Sequence, residues 1–457
     1  MFALTWPIVV EYLLRTSFLS IDTLLLSNYS EHAVAAMSLV NTVGFFIQLL
    51  YSMVGIGASI LISQNLGAGK REDAGLVGMG SMVLVVGLSV PVSIVFATSA
   101  APIAGMFHLE SVVADCAVSF IRLYGGCSSL VALNIIQSNI LRSFGHSRDP
   151  MVVNILTLAL TIALSVIGLY GPFAFSGPGV FAGAGAPSPL TAAPHLAVDG
   201  ITWVAGATAA GQLFACVAFF VLIRRRSDIS LPLRDLGRVP RHIYRGILAI
   251  GVPSAGENMS YNVSQIVILS MVSDMGTDAL ASYGILLAVL RYVFISGVSI
   301  GMGTQIKVGY YVGEQRFEEA HRRVYRYFGA GFLISLVVVS TVYVFARPLV
   351  SLFSTNENIL SITTAVLLVS LVLEPGRNFN TIITPALKGA GDVRFPVLLG
   401  LTVMWGVGVT GAWYFGVHLG LGLVGIWMGM ALDEWVRGIA VILRRRSMAW
   451  VKKSPVA

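Results

Sequence analysis

The sequence predicts an all-α, polytopic membrane protein: twelve transmembrane helices in two parallel six-helix repeats. Three observations lead there. The chain is 56% apolar and only 11% charged over 457 residues, where a soluble domain carries roughly 25% charged residues. Apolar stretches of about 20 residues recur along its length, each long enough to cross a bilayer. The chain also repeats. Moved by 246 positions, Pro7 and Glu11 fall on Pro253 and Glu257, Gly55 and Gly57 on Gly301 and Gly303, and the segment Leu141–Pro150 on Leu387–Pro396. Two copies of one membrane unit suggest a transporter with a central cavity.

The N-terminal run lacks a basic flank and a small-residue cleavage site, so it reads as the first span and not as a signal peptide. The spans are expected at roughly 3–28, 34–63, 74–101, 115–141, 150–170, 199–223, 243–272, 279–309, 321–345, 361–386, 392–416 and 421–444. Of the 29 Lys and Arg, 22 lie in or beside the loops after spans 2, 4, 6, 8 and 10 or in the C-terminal tail, and the opposite loops carry one, Arg347. The positive-inside rule then puts both termini in the cytoplasm. Six spans per half is an even number, so both halves enter the membrane in the same direction. The expected domains are a first bundle over 1–227, a basic cytoplasmic linker over 228–242, a second bundle over 243–447 and a tail over 448–457. Arg224–Ser227 matches Arg444–Ser447 at a shift of only 220, so the first half holds 26 extra residues. They fall in the extracellular loop Gly171–Gly200, rich in Gly, Ala and Pro, which reads as an inserted loop without helix or strand.

Several chemistries are excluded by pattern. Gly301-Met-Gly303 lies inside an apolar span with no strand before it, so these glycines read as close helix packing. Gly67-Ala-Gly-Lys70 is too short for a phosphate-binding loop and lacks the following Ser or Thr. Without a nucleotide site, an ion gradient is the expected energy source. Cys116, Cys127 and Cys216 have no metal or redox spacing. No catalytic constellation emerges, so the chain is read as no enzyme, with no metal, no cofactor and no nucleic-acid partner.

Charges inside spans are costly, roughly 2.5–3.5 kcal/mol each on insertion scales, and so mark candidate sites. Asp22, in the outer half of span 1, has Ile268 as its repeat counterpart and no basic residue at i±3 or i±4. It is either a buried proton carrier or a carboxylate that water reaches at the outer mouth. Glu11 and Arg15 are four apart and can pair on one face. Glu257 has Tyr261 at i+4 and is the freer acid, a candidate for lining the cavity. Glu374 and Arg377 are specific to the second half, since Ser128 and Val131 are their counterparts. They form either a cavity element or an internal pair beside a bend at Pro375 and Gly376. Asn380 repeats Asn134, and polar bridging between helices fits both. Asp433 and Arg437 form an i, i+4 pair, while Arg122 and Arg291 receive no role.

The opening Leu4-Thr-Trp-Pro-Ile-Val9, the span-1 motif with Asp22, Gly55-Ile-Gly-Ala-Ser59 leading into Gln64-Asn-Leu-Gly-Ala-Gly69, and Leu387-Lys-Gly-Ala-Gly-Asp-Val-Arg-Phe-Pro396 resemble the multidrug and toxic compound extrusion (MATE) family. The resemblance covers nearly the whole chain apart from 171–200. It implies two six-helix bundles in a V around a central cavity, alternating access, and export of organic cations and bulky aromatic drugs in exchange for protons or sodium. Asp22 matches the family's span-1 aspartate and becomes the expected coupling carboxylate. Many members carry Asn and Asp four apart on span 5, and those positions here are Thr161 and Ser165, neutral oxygens that make proton coupling the simpler expectation. Some members place a span-7 acid where this chain has Tyr261, with Glu257 one turn earlier. Glu257, Glu374, Arg377 and Asn380 are the expected substrate-cavity residues. A monomer in a bacterial plasma membrane, among lipids, is the family's setting. The alternative reading is export of an anionic metabolite, such as a flavin or a lipid-linked precursor, with Arg122, Arg291 and Arg377 giving it weight.

Overall fold

The computed structural model describes residues 4–14, 16, 31–105, 107, 110–170, 194–231 and 239–453. These residues contain helices and no strand. The helices are α1 (Leu4–Leu14), α2 (Glu31–Gly67), α3 (Arg71–Thr98), α4 (Ala100–Gly105), α5 (Ser111–Phe120), α6 (Ser128–Ser143), α7 (Arg148–Tyr170) and α8 (Pro194–Arg225) in the first half. The second half has α9 (Arg241–Ser273), α10 (Thr277–Gly313), α11 (Phe317–Val344), α12 (Ala346–Ser351), α13 (Glu357–Asn378), α14 (Thr384–Gly389), α15 (Arg394–Val403), α16 (Thr410–Ala412) and α17 (Gly422–Arg446). π-Helical turns at Ile121–Gly125, Phe379–Ile383, Met404–Val409 and Trp413–His418 join several of them.

Among the described residues, 8 helices are long and apolar enough to cross a membrane, or up to 9 if the bent pair Ser111–Gly125 and Ser128–Ser143 is one span. α9 and α17, at 33 and 25 residues, also have spanning length. α9 falls short in apolarity because Asn258, Asn262 and Gln265 accompany Glu257, and α17 because it carries Asp433, Glu434 and Arg437. Span 1 lies partly outside the described residues. The extra loop does so at 171–193, while its last residues from Pro194 belong to α8, a helical start that the sequence reading had left unstructured.

Two helix irregularities depart from expectation. The span expected to bend at Pro375 runs as one element over Glu357–Gly389 and takes up its irregularity as the π turn Phe379–Ile383. A proline removes one backbone donor, and a neighbouring π turn absorbs the shift in register. Its first-half counterpart has no proline yet bends by 48° between Gly125 and Ser128, where paired glycines lower the cost of leaving helical geometry.

The repeated motif Leu-Arg-Ser-Phe-Gly-His against Leu-Lys-Gly-Ala-Gly-Asp has a local cause. Gly145 and Gly391 take φ of 93° and 94°. His146 N donates to the Leu141 carbonyl at 2.9 Å and Asp392 N to the Leu387 carbonyl at 3.0 Å. Both are Schellman caps, in which a glycine in left-handed geometry satisfies the last carbonyls of a helix.

Contacts gather the chain into two compact units. One holds Met1–Val9, Ser59–Ala74 and Ala249–Ala457, and the other Val10–Ala58 and Gly75–Leu248. Within the first of these, the C-terminal end of α2 packs with second-half helices, and Gln64 Nε2 donates to the Gly389 carbonyl at 2.9 Å. The expected packing glycines do approach backbone closely. A Cβ on Gly301 would overlap the Thr381 carbonyl, and one on Gly57 the Ile247 carbonyl.

Candidate functional site

The second half buries a network of charges between α13, α17 and the π turn that follows α13. The order Leu373-Glu-Pro-Gly-Arg377 puts Glu374 and Arg377 on one helix face. Arg377 Nη1 donates to Glu374 Oε1 at 2.7 Å and its Nε to Glu434 Oε1 at 3.3 Å. Asn380 Nδ2 donates to Glu434 Oε2 at 2.6 Å and to its carbonyl at 3.0 Å, tying α17 to the π turn. Arg437 bonds Asp433 and lies 3.2 Å from Glu434 Oε2. The network therefore sets three carboxylates (Glu374, Asp433, Glu434) against two guanidiniums (Arg377, Arg437). Glu374, Asp433 and Glu434 are buried.

A small cavity of about 10 Å³ opens against these acids, lined by Tyr261, Ser264, Gln265, Ile268, Asp433 and Glu434 among others. That volume accommodates about one water-sized species. Ile268 is the repeat counterpart of Asp22, so this cavity occupies the corner that the first half was expected to devote to coupling. The second half supplies its acids there from α17 and not from its opening helix.

Asp22 itself lies outside the described residues, as does Arg15. Thr161 and Ser165 lie on α7 and are buried. Thr161 Oγ1 donates to the Thr157 carbonyl at 2.9 Å and packs closely against Gly211. Ser165 Oγ has no hydrogen-bond partner among the described residues.

Glu11 has partners from other helices. Arg142 Nη2 donates to both of its oxygens at 2.6 Å, and Asn154 Nδ2 to Oε1 at 2.7 Å. Glu257 is not free either: Lys388 Nζ donates to its Oε2 at 2.6 Å. The expected Glu11–Arg15 pair involves a residue outside the described ones, whereas the reading of Glu257 as the freer acid fails because the helices fold a distant base onto it, while i+4 spacing registers only local neighbours. The signal was present in the repeat. Glu11 and Arg142 become Glu257 and Lys388 under the same 246-residue shift, two opposite charges duplicated together. Asn154 becomes Gly400, so the third member of the first-half triad has no second-half equivalent.

Sequence reasoning also left the α13–α17 network in two pieces. It paired Glu374 with Arg377, and Asp433 with Arg437, and missed that Glu434 joins them. Asn134, the counterpart of Asn380, repeats the double bond by donating to the Gln212 carbonyl at 2.9 Å and its Oε1 at 2.7 Å. The fold thus uses the same bridge twice, with a neutral acceptor in the first half and a charged one in the second.

The MatE family profile matches residues 7–167 and 253–414, two blocks that coincide with the two repeats. The chain is 33% identical over 455 residues to the uncharacterized transporter YisQ of Bacillus subtilis, covering 99% of this chain and 95% of that protein. It is 24% identical over 453 residues to the probable multidrug resistance protein NorM of Thermotoga maritima, covering 99% and 92%. Among solved structures, a multidrug resistance MATE family transporter of the MOP superfamily in an outward-facing conformation superposes with a TM-score of 0.85 at 22% identity, covering 99% of this chain and 96% of that one. A MOP superfamily transporter from Pyrococcus furiosus, described by the reverse polarity of its binding pocket, superposes equally well, with a TM-score of 0.85 at 21% identity and the same coverage. The chain belongs to the MatE family of multi-pass membrane transporters.

Proposed function

We propose that this protein is a secondary active antiporter that exports small amphipathic or cationic organic compounds in exchange for protons or sodium by alternating access. It works as a monomer in the cell membrane with both termini in the cytoplasm. The reading rests on the cavity beside Asp433 and Glu434. One carboxylate there exceeds the available guanidiniums. In a low-dielectric interior that surplus charge calls for a proton or a cation, and the cavity is sized for a small occupant. Asp22 in the first half is the second coupling candidate, with Thr161 and Ser165 as neutral oxygens nearby in sequence pattern. Relatives named for multidrug resistance support the cargo class.

Transport in proteoliposomes tests the reading. A pH gradient and a sodium gradient are imposed separately, and accumulation of a fluorescent organic cation is followed. Accumulation under one gradient, lost in Asp22→Asn or Asp433→Asn, is the expected result. Accumulation unchanged in both variants would remove the coupling assignment.

Export of an anionic metabolite is the second reading, and one observation favours it. Arg122 and Arg291 are exposed, and neither has a charged or hydrogen-bonding partner among the described residues. Arg377, by contrast, is neutralised by Glu374 and Glu434. Running an anionic dye beside the cationic one separates the two readings.

A further inference from the structure

Arg445 lies in the last turn of α17 and is wholly buried, and its Nε, Nη1 and Nη2 all lack a hydrogen-bond acceptor among the described residues. The chain turns back immediately beyond it. Trp450 is also wholly buried, its ring lies 3.8 Å from the guanidinium carbon, and its Nε1 donates to the Arg445 carbonyl at 3.2 Å. A ring stacked on a guanidinium covers its face, whereas the five N–H bonds lie in the plane of the group. The stacking therefore leaves every donor unanswered, and a buried charge without a counter-charge is strongly disfavoured.

Two more unanswered polar groups belong to the same place. His321 Nδ1 and Tyr325 Oη are buried without partners among the described residues. Both lie on α11, one turn apart, with ring centroids 5.0 Å from each other. The charge of Arg445 acts on His321 and interacts with Tyr325, and the Glu318 carboxylate also acts on His321. Apolar residues complete the surroundings, among them Ala320, Val324 and Val441.

The first repeat shows that the fold does not require this arrangement. His321 and Tyr325 correspond to Gly75 and Met79, and Arg445 to Arg225, which is exposed. Only the second half brings these three polar groups together, and only there does a tryptophan from the tail close over them.

We propose that Arg445, His321 and Tyr325 form a buried site for one small monovalent anion, of the chloride class, at the end of the second repeat where the tail folds back under Trp450. A single fixed cation selects a single negative charge. His321 and Tyr325 add neutral donors, which solvate a halide without overcharging the site. The first turn of α11 and the tail also wall an open pocket of about 720 Å³, lined by Arg316, Glu318, Glu319, Arg322 and Lys452 among others. Its basic members give an anion a route to the Trp450 lid. Because the anion and the lid share Arg445, filling the site fastens the tail to α11.

The test uses the full-length protein in detergent. Thermal unfolding is measured in gluconate buffer titrated with chloride or bromide at constant ionic strength. A saturable rise in Tm with either halide is expected, absent in Arg445→Met. Tyr325→Phe, which retains the ring, is expected to weaken half-saturation roughly tenfold, the usual worth of a hydrogen bond to a charge. Crystals grown in bromide are expected to show an anomalous peak at the guanidinium. Should Arg445→Met fail to fold, the Tyr325→Phe titration and the bromide peak decide. A wild-type Tm indifferent to halide, a halide response retained by Arg445→Met, an unmoved Tyr325→Phe midpoint, or bromide bound only elsewhere would overturn the proposal. A response to sulfate alone would overturn the monovalent assignment.

Discussion

The carboxylates of Glu11 and Glu257 illustrate how single residues are held in this protein. Each meets a base 131 residues later in the chain, and the two pairs are copies of one another. A buried pair contributes little beyond what two apolar residues of the same shape would, but breaking one partner away leaves an uncompensated charge. Arg142→Met is therefore expected to cost about 3–5 kcal/mol, and Glu11→Gln combined with Arg142→Met distinctly less. Unfolding of the three proteins in detergent measures the difference, and a single variant no worse than the double would show that Glu11 is already hydrated. Neither pairing was legible along the helix, because a partner at i+4 is visible in sequence and a partner brought by folding is not. The duplication of both charges was the one trace left in the letters.

Element ends are governed by the same duplication. Gly69 and Gln315 are equivalent positions after α2 and α10, with φ of 74° and 59°. In both, the next residue donates to a carbonyl five residues back: Lys70 N to Asn65 at 2.9 Å and Arg316 N to Tyr311 at 2.8 Å. The second half thus places a side chain where left-handed geometry costs roughly 1–2 kcal/mol. Gln315→Gly is expected to raise stability by about 0.5–1 kcal/mol after the added freedom of the unfolded glycine is allowed for. A lower midpoint in chemical unfolding would show that the Gln315 side chain contributes contacts outweighing the strain. Gly301→Ala tests the opposite case. Its new methyl has only the Thr381 carbonyl to displace, and backbone yields less readily than a side chain, so a loss of at least about 1–3 kcal/mol is expected. Hydrophobic runs and capping glycines made nearly all helices readable. The π turns and the 48° bend were not, since both depend on how neighbouring helices seat against one another.

At the scale of the whole molecule, the two halves share a fold and differ in where their charges sit. Asp433→Asn is the informative change. It leaves two carboxylates against two guanidiniums, with Arg437 still beside Glu434, so insertion and folding are expected to survive while gradient-driven accumulation falls at least roughly tenfold, as expected when about 1.4 kcal/mol or more of coupling is removed. Equal loss of uncoupled, downhill exchange would instead indicate general damage. Composition, run length and the 246-residue repeat were enough to predict a duplicated helical membrane protein, because transfer of apolar segments into a bilayer depends on local sequence and scarcely on distant contacts; the motifs shared with the family added the transporter reading. They did not reveal that Glu434 unites two ion pairs, that Lys388 claims Glu257, or that Trp450 seals Arg445. Those depend on which helix faces meet, and a charge is satisfied by whatever group lies within a few ångströms, however far away it stands in the chain.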